Sequence, residues 1–86
     1  MKKPDIYVIS RFLEKLWLSN SEFKVTQLQM ATGLNYNVFT KYLNWLEDRN
    51  LVIIEDKDKP HKTIKITKKG IDIYKRLVDL LSKLME

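Results

Sequence analysis

The sequence predicts a mainly α chain carrying one small β-hairpin, and three observations support this. Apolar residues recur at three- and four-residue steps in three separated segments, the pattern of helices that each bury one face. A shorter apolar stretch, Leu28 with Met30 and Ala31, stops at Gly33 and is followed two residues later by Asn35. Two helices joined by so short a glycine-containing turn form a helix-turn-helix. Between the third helix and the last, Leu51-Val52-Ile53-Ile54 and Thr63-Ile64-Lys65-Ile66 flank a polar segment, which reads as strand, loop and returning strand.

Pro4 and Asp5 open the first helix, since proline suits a first turn and a carboxylate suits the positive end of a helix. Ile6, Ile9, Leu13 and Leu16 form its apolar face, widened by Phe12 and Trp17. Ser19-Asn20-Ser21 breaks the pattern, and Phe23-Lys24-Val25 is a short extended piece. Thr26 is expected to cap the second helix with its hydroxyl, Leu28, Met30 and Ala31 to supply its small apolar face, and Gly33 to end it in the left-handed conformation. Asn35 is expected to cap the third helix, running to about Asn50.

In that third helix the two faces separate. Phe39, Leu43 and Leu46 fall on one side with Val38, Tyr42 and Trp45 beside them, and core packing is the preferred reading of the aromatics. Asn37, Thr40, Lys41, Asn44 and Asp48 lie opposite, with Tyr36 at the N-terminal edge. An ordinary solvated face would favour Glu, Lys, Arg and Ala, which are strong helix formers, whereas Asn and Thr are poor ones. Asn can bond adenine N6 and N7, and the Thr methyl can touch a thymine methyl, so this face has a chemical as well as a bland reading.

Helix, turn, helix, hairpin is the order of a winged helix, far more specific than the turn alone. Residues 55 to 62 carry three lysines and three acids. A solvated hairpin tip and phosphate contacts by Lys57, Lys59 or Lys62 therefore fit equally well. Pro60 sits where it need not donate to the ladder. Thr67 caps a last helix of about 18 residues, roughly 27 Å long. Its apolar residues form two adjacent stripes: Ile71, Tyr74, Val78, Leu81 and Met85, and Ile73, Leu77, Leu80 and Leu84. Together they are wider than one core contact requires. Ile73, Tyr74 and Leu77, with Gly70 allowing close approach, are expected to pack on the first helix. Val78, Leu80, Leu81, Leu84 and Met85 are left for a second subunit.

Composition narrows the function. The chain has 86 residues, a formal net charge of +5, a pI near 9.5, no cysteine and one histidine, His61. A disulfide framework and a thiolate metal site are excluded, and a reducing cytoplasm fits. The acids are scattered and no glycine-rich loop could cradle a phosphate, so no catalytic residue, metal site or cofactor is expected. No apolar run is long enough to span a bilayer, and Met-Lys-Lys-Pro-Asp lacks the apolar stretch of a secretory leader. The lysine-, isoleucine- and leucine-rich composition with a single alanine points to an AT-rich or thermophilic source. The positive charge favours a polyanionic partner, nucleic acid before membrane, although plain solubility also yields such a balance. The first 20 residues carry four bases against two acids, and residues 63 to 86 carry six against three. The stretch between them is neutral. The surplus, Lys2, Lys3, Lys65, Lys68 and Lys69 among others, thus lies outside the third helix, which suits phosphate contacts around a site.

The runs Thr26-Gln-Leu-Gln-Met-Ala-Thr-Gly-Leu-Asn-Tyr-Asn-Val-Phe-Thr-Lys-Tyr-Leu-Asn-Trp-Leu46 and Ile64-Lys-Ile-Thr-Lys-Lys-Gly70 resemble small archaeal winged-helix DNA-binding proteins. More distantly, Leu43 to Val52 followed by Ile66-Thr-Lys-Lys-Gly70 resembles bacterial regulators of the MarR and PadR kind. The resemblance covers about residues 6 to 84. It implies a C-terminal helix that pairs as a coiled coil between subunits. It also implies that Asn35 caps the recognition helix and that Tyr36, Asn37, Thr40 and Lys41 face DNA. Members act as transcription regulators or as chromatin-associated proteins.

The expected architecture is therefore a single winged helix-turn-helix domain with an extended C-terminal dimerisation helix, divided into residues 5–66 and 67–86. The expected function is that of a sequence-specific double-stranded DNA-binding protein and transcriptional regulator. Helix 35–50 would lie in the major groove, in a cytoplasmic, nucleoid-associated homodimer with no membrane or small-molecule partner. Candidate DNA contacts are Gln27, Asn35, Tyr36, Asn37, Thr40, Lys41, Asn44, Lys57, Lys59 and Lys62. An architectural chromatin protein of little sequence preference is the alternative, and a winged helix used for protein–protein contact is a third. Polar Asn37, Thr40, Lys41 and Asn44 disfavour the last, since a protein-binding face is rich in apolar anchors.

Overall fold

The computed structural model describes residues 3–19, 23–55, 60 and 62–85. Its order is α1 (Ile6–Ser19), β1 (Phe23–Lys24), α2 (Val25–Thr32), α3 (Tyr36–Asp48), β2 (Val52–Glu55), β3 (Thr63–Ile66) and α4 (Lys68–Leu84). The fold is a winged helix, mainly α as the apolar periodicity predicts. The hairpin of β2 and β3 gains a third strand, giving an antiparallel sheet in the order β1-β3-β2. Val52 to Glu55 pair with Ile66 to Thr63, while Phe23 and Lys24 pair with Ile64 and Thr63 on the other side. The short piece before α2 is therefore a strand, which two residues are too few to announce by alternation.

Pairing of β1 also moves the start of α2. The Val25 N–H donates to the Lys62 carbonyl at 3.0 Å, and Lys24, in extended conformation, takes the cap position expected of Thr26. Gln27 Oε1 accepts from the Lys24 N–H at 3.2 Å, the return half of a capping box. Lysine has no acceptor to offer the other half. Inside α2 the buried residues are Leu28 and Thr32; Ala31 is exposed and Met30 is 82% exposed. The expected Leu28-Met30-Ala31 face is thus corrected: α2 is rotated so that Leu28 and Thr32, one turn apart, face the core and Met30 and Ala31 face outward. Thr32 loses little by burial, since its hydroxyl donates to the Gln29 carbonyl at 2.9 Å.

Other termini follow local chemistry. Pro4 and Asp5 precede α1 rather than lying in it. The Asp5 carboxylate accepts from the Tyr7 N–H at 2.8 Å, so Asp5 acts as the cap. Gly33 ends α2 at φ 70°, its N–H donating to the carbonyls of Gln29 and Met30, as expected. The Asn35 side chain caps α3 through the Val38 N–H, and Thr67 caps α4 through that of Gly70, both as expected. α3 stops at Asp48, short of Asn50, because Asn50 adopts φ 60° and the Leu51 N–H returns to the Leu46 carbonyl. Asparagine tolerates that conformation better than other non-glycine residues. Leu51 accordingly sits in the bend, and β2 begins one residue later than expected.

The core joins all elements. Ile9, Phe12, Leu13 and Leu16 of α1 meet Leu28, Phe39, Tyr42, Leu43, Leu46, Leu51, Val52 and Ile64. Phe12 stacks between Phe39 and Tyr42, with ring centroids 5.3 and 5.9 Å away. Ile6 and Trp17, assigned to the same α1 face, lie at its exposed margins. Ile73, Tyr74 and Leu77 pack against this core, and α4 lies along α1. At that contact burial, and secondarily the Glu14 charge, raises the Tyr74 hydroxyl above its usual pKa. Gly70 does permit close approach, though to a different neighbour than α1. A methyl at this position would overlap the Leu51 carbonyl oxygen and lie 2.8 Å from Ile66 Cγ1. Gly70→Ala is expected to destabilise the fold by about 1–3 kcal/mol through overpacking against backbone, seen as a lower denaturation midpoint with an unchanged slope.

Candidate nucleic-acid interface

The burial of α3 decides what it presents. Phe39, Tyr42, Leu43 and Leu46 are buried, with Val38 and Trp45 partly covered beside them. The opposite side is left outward: Tyr36 is 66% exposed, Asn37, Lys41, Asn44 and Asp48 are exposed, and Thr40 is half-buried. The two-faced helix read from the spacing is therefore present in the fold.

Part of this face forms one wall of a groove of about 250 Å³. Tyr36, Thr40, Asn44 and Glu47 line it from α3, Ile54 from β2 and Lys62 from just before β3, together with Val25, Phe39 and Leu43. The fold thus brings Lys62, a wing candidate, onto the same groove as three candidates from α3. The outward ridge carries Asn37 and Lys41. Lys57 and Lys59 lie outside the described residues. Glu47 and Ile54 were not among the sequence candidates. Glu47 continues the Tyr36, Thr40, Asn44 line at the next helical step, so its position on that wall was available from spacing, whereas Ile54 arrives through the sheet.

Two candidates have structural duties. Asn35 Oδ1 accepts from the Val38 N–H at 2.9 Å, and Gln27 Oε1 accepts from Lys24. Each keeps its amide NH₂ group as a donor for an outside partner. Among the bases of the surplus, Lys65 pairs with Glu55 at 3.1 Å and Lys69 bonds the Arg49 carbonyl at 2.9 Å. Lys24, Lys41, Lys62 and Lys68 are exposed.

Charge along α3 is uneven. Lys41 sits in its first half, where the free N–H groups also make the helix end positive, and Glu47 and Asp48 sit in its last turn. An anion is therefore favoured at the N-terminal half of the helix, while the acids of the last turn lie beside Arg49 at its cap. Chemically, the face offers amide donors and acceptors, one hydroxyl, one ammonium, one exposed phenol and, at its C-terminal end, the Asp48 carboxylate. That set suits hydrogen bonding to a polar, anionic surface.

Among the described residues no helix is long and apolar enough to cross a membrane. No curated protein matches the chain in sequence, but solved structures match its fold. Sso10a-2, a DNA-binding protein from Sulfolobus solfataricus, aligns with a TM-score of 0.80 at 19% identity, over 96% of this chain and 83% of that one. F93, a winged-helix DNA-binding protein from STIV, aligns with a TM-score of 0.84 at 18% identity, over 95% of both chains. The transcriptional regulator BldR from Sulfolobus solfataricus aligns with a TM-score of 0.78 at 21% identity, over 92% of this chain but 57% of its own. This chain therefore spans little more than half of that regulator. The family model described as winged helix-turn-helix matches residues 2–85, and the chain belongs to the winged helix-turn-helix family.

Proposed function

We propose that this protein binds double-stranded DNA as a homodimer and acts as a sequence-specific transcriptional regulator, nucleoid-associated in the cytoplasm, with α3 in the major groove. The observation that carries the reading is the outward face of α3. Asn37, Lys41 and Asn44 are exposed on a helix whose other face is committed to the core. Asparagine is a costly choice for a merely solvated helix, and its amide matches the adenine edge. Support also comes from the fold, shared with Sso10a-2 and the STIV protein, both described as DNA-binding, and with BldR. In this reading Asn37 and Asn44 read base edges, Lys41 a guanine or phosphate, and Tyr36 a phosphate or thymine methyl. Lys62, and Lys57 and Lys59 beyond the described residues, give phosphate contacts.

Gel retardation on mixed genomic fragments with competitor DNA tests the function. Selected fragments should be retained, where uniform retention would mark an architectural protein and none a protein-interaction module. Neutralising about four to eight phosphates per dimer should make log K fall against log salt with a slope of roughly −4 to −7; a flat dependence would reject the reading. Within the retained site, Asn37→Ala should cost about 1–3 kcal/mol and relax the preference at one base pair. Unchanged affinity and selectivity in that folded variant would remove Asn37 from the reading face.

Dimerisation is inferred from α4. Val78 and Leu80 are exposed, Leu84 is 70% exposed and Met85 81%, with Leu81 half-buried between them. Such a strip is unusual on a soluble monomer. Burial of each leucine is worth roughly 1.5–3 kcal/mol, enough for two such helices to hold together after association costs. The 86 residues would then work as one domain whose residues 67–86 form the dimerisation helix. Two recognition helices about 34 Å apart would meet successive major grooves. Sedimentation should give a dimer for the wild type at tens of micromolar and a folded monomer for the Leu81→Glu, Leu84→Glu double variant. A monomeric wild type, or a variant that remains dimeric, would exclude this interface.

A further inference from the structure

The corner where α3 ends and α4 begins is bonded in an unusual way. Arg49, Asn50 and Leu51 present three consecutive carbonyls just beyond α3, and all three are received by the start of α4. Lys69 Nζ donates to the Arg49 carbonyl at 2.9 Å, Thr67 Oγ1 to that of Asn50 at 2.6 Å, and the Thr67 N–H to that of Leu51 at 3.0 Å. The same Thr67 hydroxyl oxygen accepts from the Gly70 N–H at 2.9 Å. Thr67 is thus the N-cap of one helix and a donor to the end of another. The ammonium of Lys69 also lies at the negative end of α3, where a cation is favoured. Arg49 is held in turn, its guanidinium 3.9 Å over the Trp45 ring and donating to the Trp45 carbonyl. The strands β2 and β3 leave and return between these bonded residues, so the wing does not interpose at the corner.

We propose that Thr67 and Lys69 are positioning residues that lock the reading helix to α4 and thereby set the spacing at which a dimer engages two half-sites. This rests on the DNA-binding, dimeric reading above. The apolar contacts of Ile73, Tyr74 and Leu77 dock α4 onto the core, and packing of this kind leaves a scatter of about 15–20° in the angle between helices. The three hydrogen bonds are directional and lie at the pivot between the two helices. A small change of angle there is magnified along the 17 residues of α4, and reaches the partner's reading helix through the distal pairing. Lock and fold are therefore separable: losing the bonds should leave the core intact and loosen the geometry between the two reading helices.

The full-length chain tests this on duplexes carrying two copies of the half-site that the wild type selects from a random duplex library. Their separation is stepped by single base pairs around one helical turn, and a single half-site duplex serves as reference. The wild type should show a sharp spacing optimum. Thr67→Val should lose roughly fivefold at the optimum, on the order of one hydrogen bond of the lock, with the single half-site unchanged. Lys69→Met, which also removes a charge, should lose about fivefold more at the optimum than on the single half-site. Thr67→Ser, which keeps the hydroxyl, should behave as wild type. Because the chain contains no cysteine, spin labels at Lys41→Cys and Arg76→Cys, diluted with unlabelled protein, report the α3–α4 distance without DNA. That distribution should broaden in Thr67→Val and Lys69→Met and stay narrow in Thr67→Ser. Lys69→Met, altered only at an exposed side chain, keeps the test decisive should Thr67→Val fail to fold. A spacing profile and label distribution that both remain wild-type in the folded variants overturn the inference, as does an equal loss on every duplex. A wild type that retains no duplex overturns the DNA reading itself, an outcome distinct from either.

Discussion

The stack of Phe12 between Phe39 and Tyr42 is the interaction on which the remaining geometry depends. Phe12 and Phe39 are fully buried, and offset aromatic contacts prefer limited ring orientations. Rotation of α3 about its own axis would pull both of its rings off α1. Tyr42 adds a polar restraint, its hydroxyl accepting from the Asp5 N–H at 2.8 Å where α1 begins. With that rotation set, the exposure of Asn37, Lys41 and Asn44 follows. The polar face of α3 is the geometric complement of its aromatic face.

The sheet and α4 transmit this arrangement outward. β3 is the central strand, and Ile64 within it is fully buried in the same core. On one side its antiparallel partner brings Ile54 to the groove beside α3. The chain just before it supplies Lys62, whose carbonyl receives the first N–H of α2. The wing and the start of α2 are therefore tied by a backbone bond. α4 has two ends with different surroundings. Its first half is covered by the core and by the α3 corner, and its second half leaves Val78, Leu80, Leu84 and Met85 exposed. The same sequence periodicity serves both, and only the extent of the core distinguishes them.

The elements legible in the sequence were those whose cause is local. Gly33 ends α2 because it adopts φ 70° without steric cost, and Asn35 and Thr67 cap because a short oxygen-bearing side chain reaches a free N–H three residues on. The wide apolar stripes of α1, α3 and α4 needed only helical periodicity. Where expectation and structure part, a distant partner intervened. Thr26 is a good cap in isolation, but the pairing of Lys24 with Thr63 starts the helix earlier. Met30 and Ala31 are apolar, yet the rotation of α2 that buries Leu28 and Thr32 turns them outward.

By itself the sequence determined the helix-turn-helix order, the caps at Gly33, Asn35 and Thr67, the hairpin and the polar composition of one face of α3, because each is encoded within one turn of helix or one pair of adjacent strands. Tertiary structure alone decided the third strand, the meeting of Lys62 and Ile54 with α3 in one groove, and the role of Gly70. It also gathered the carbonyls of Arg49, Asn50 and Leu51 onto Thr67 and Lys69. The third strand and the contacts of α4 join residues separated by a strand pair or more along the chain. Periodicity says which residues share a face; it does not say which faces meet.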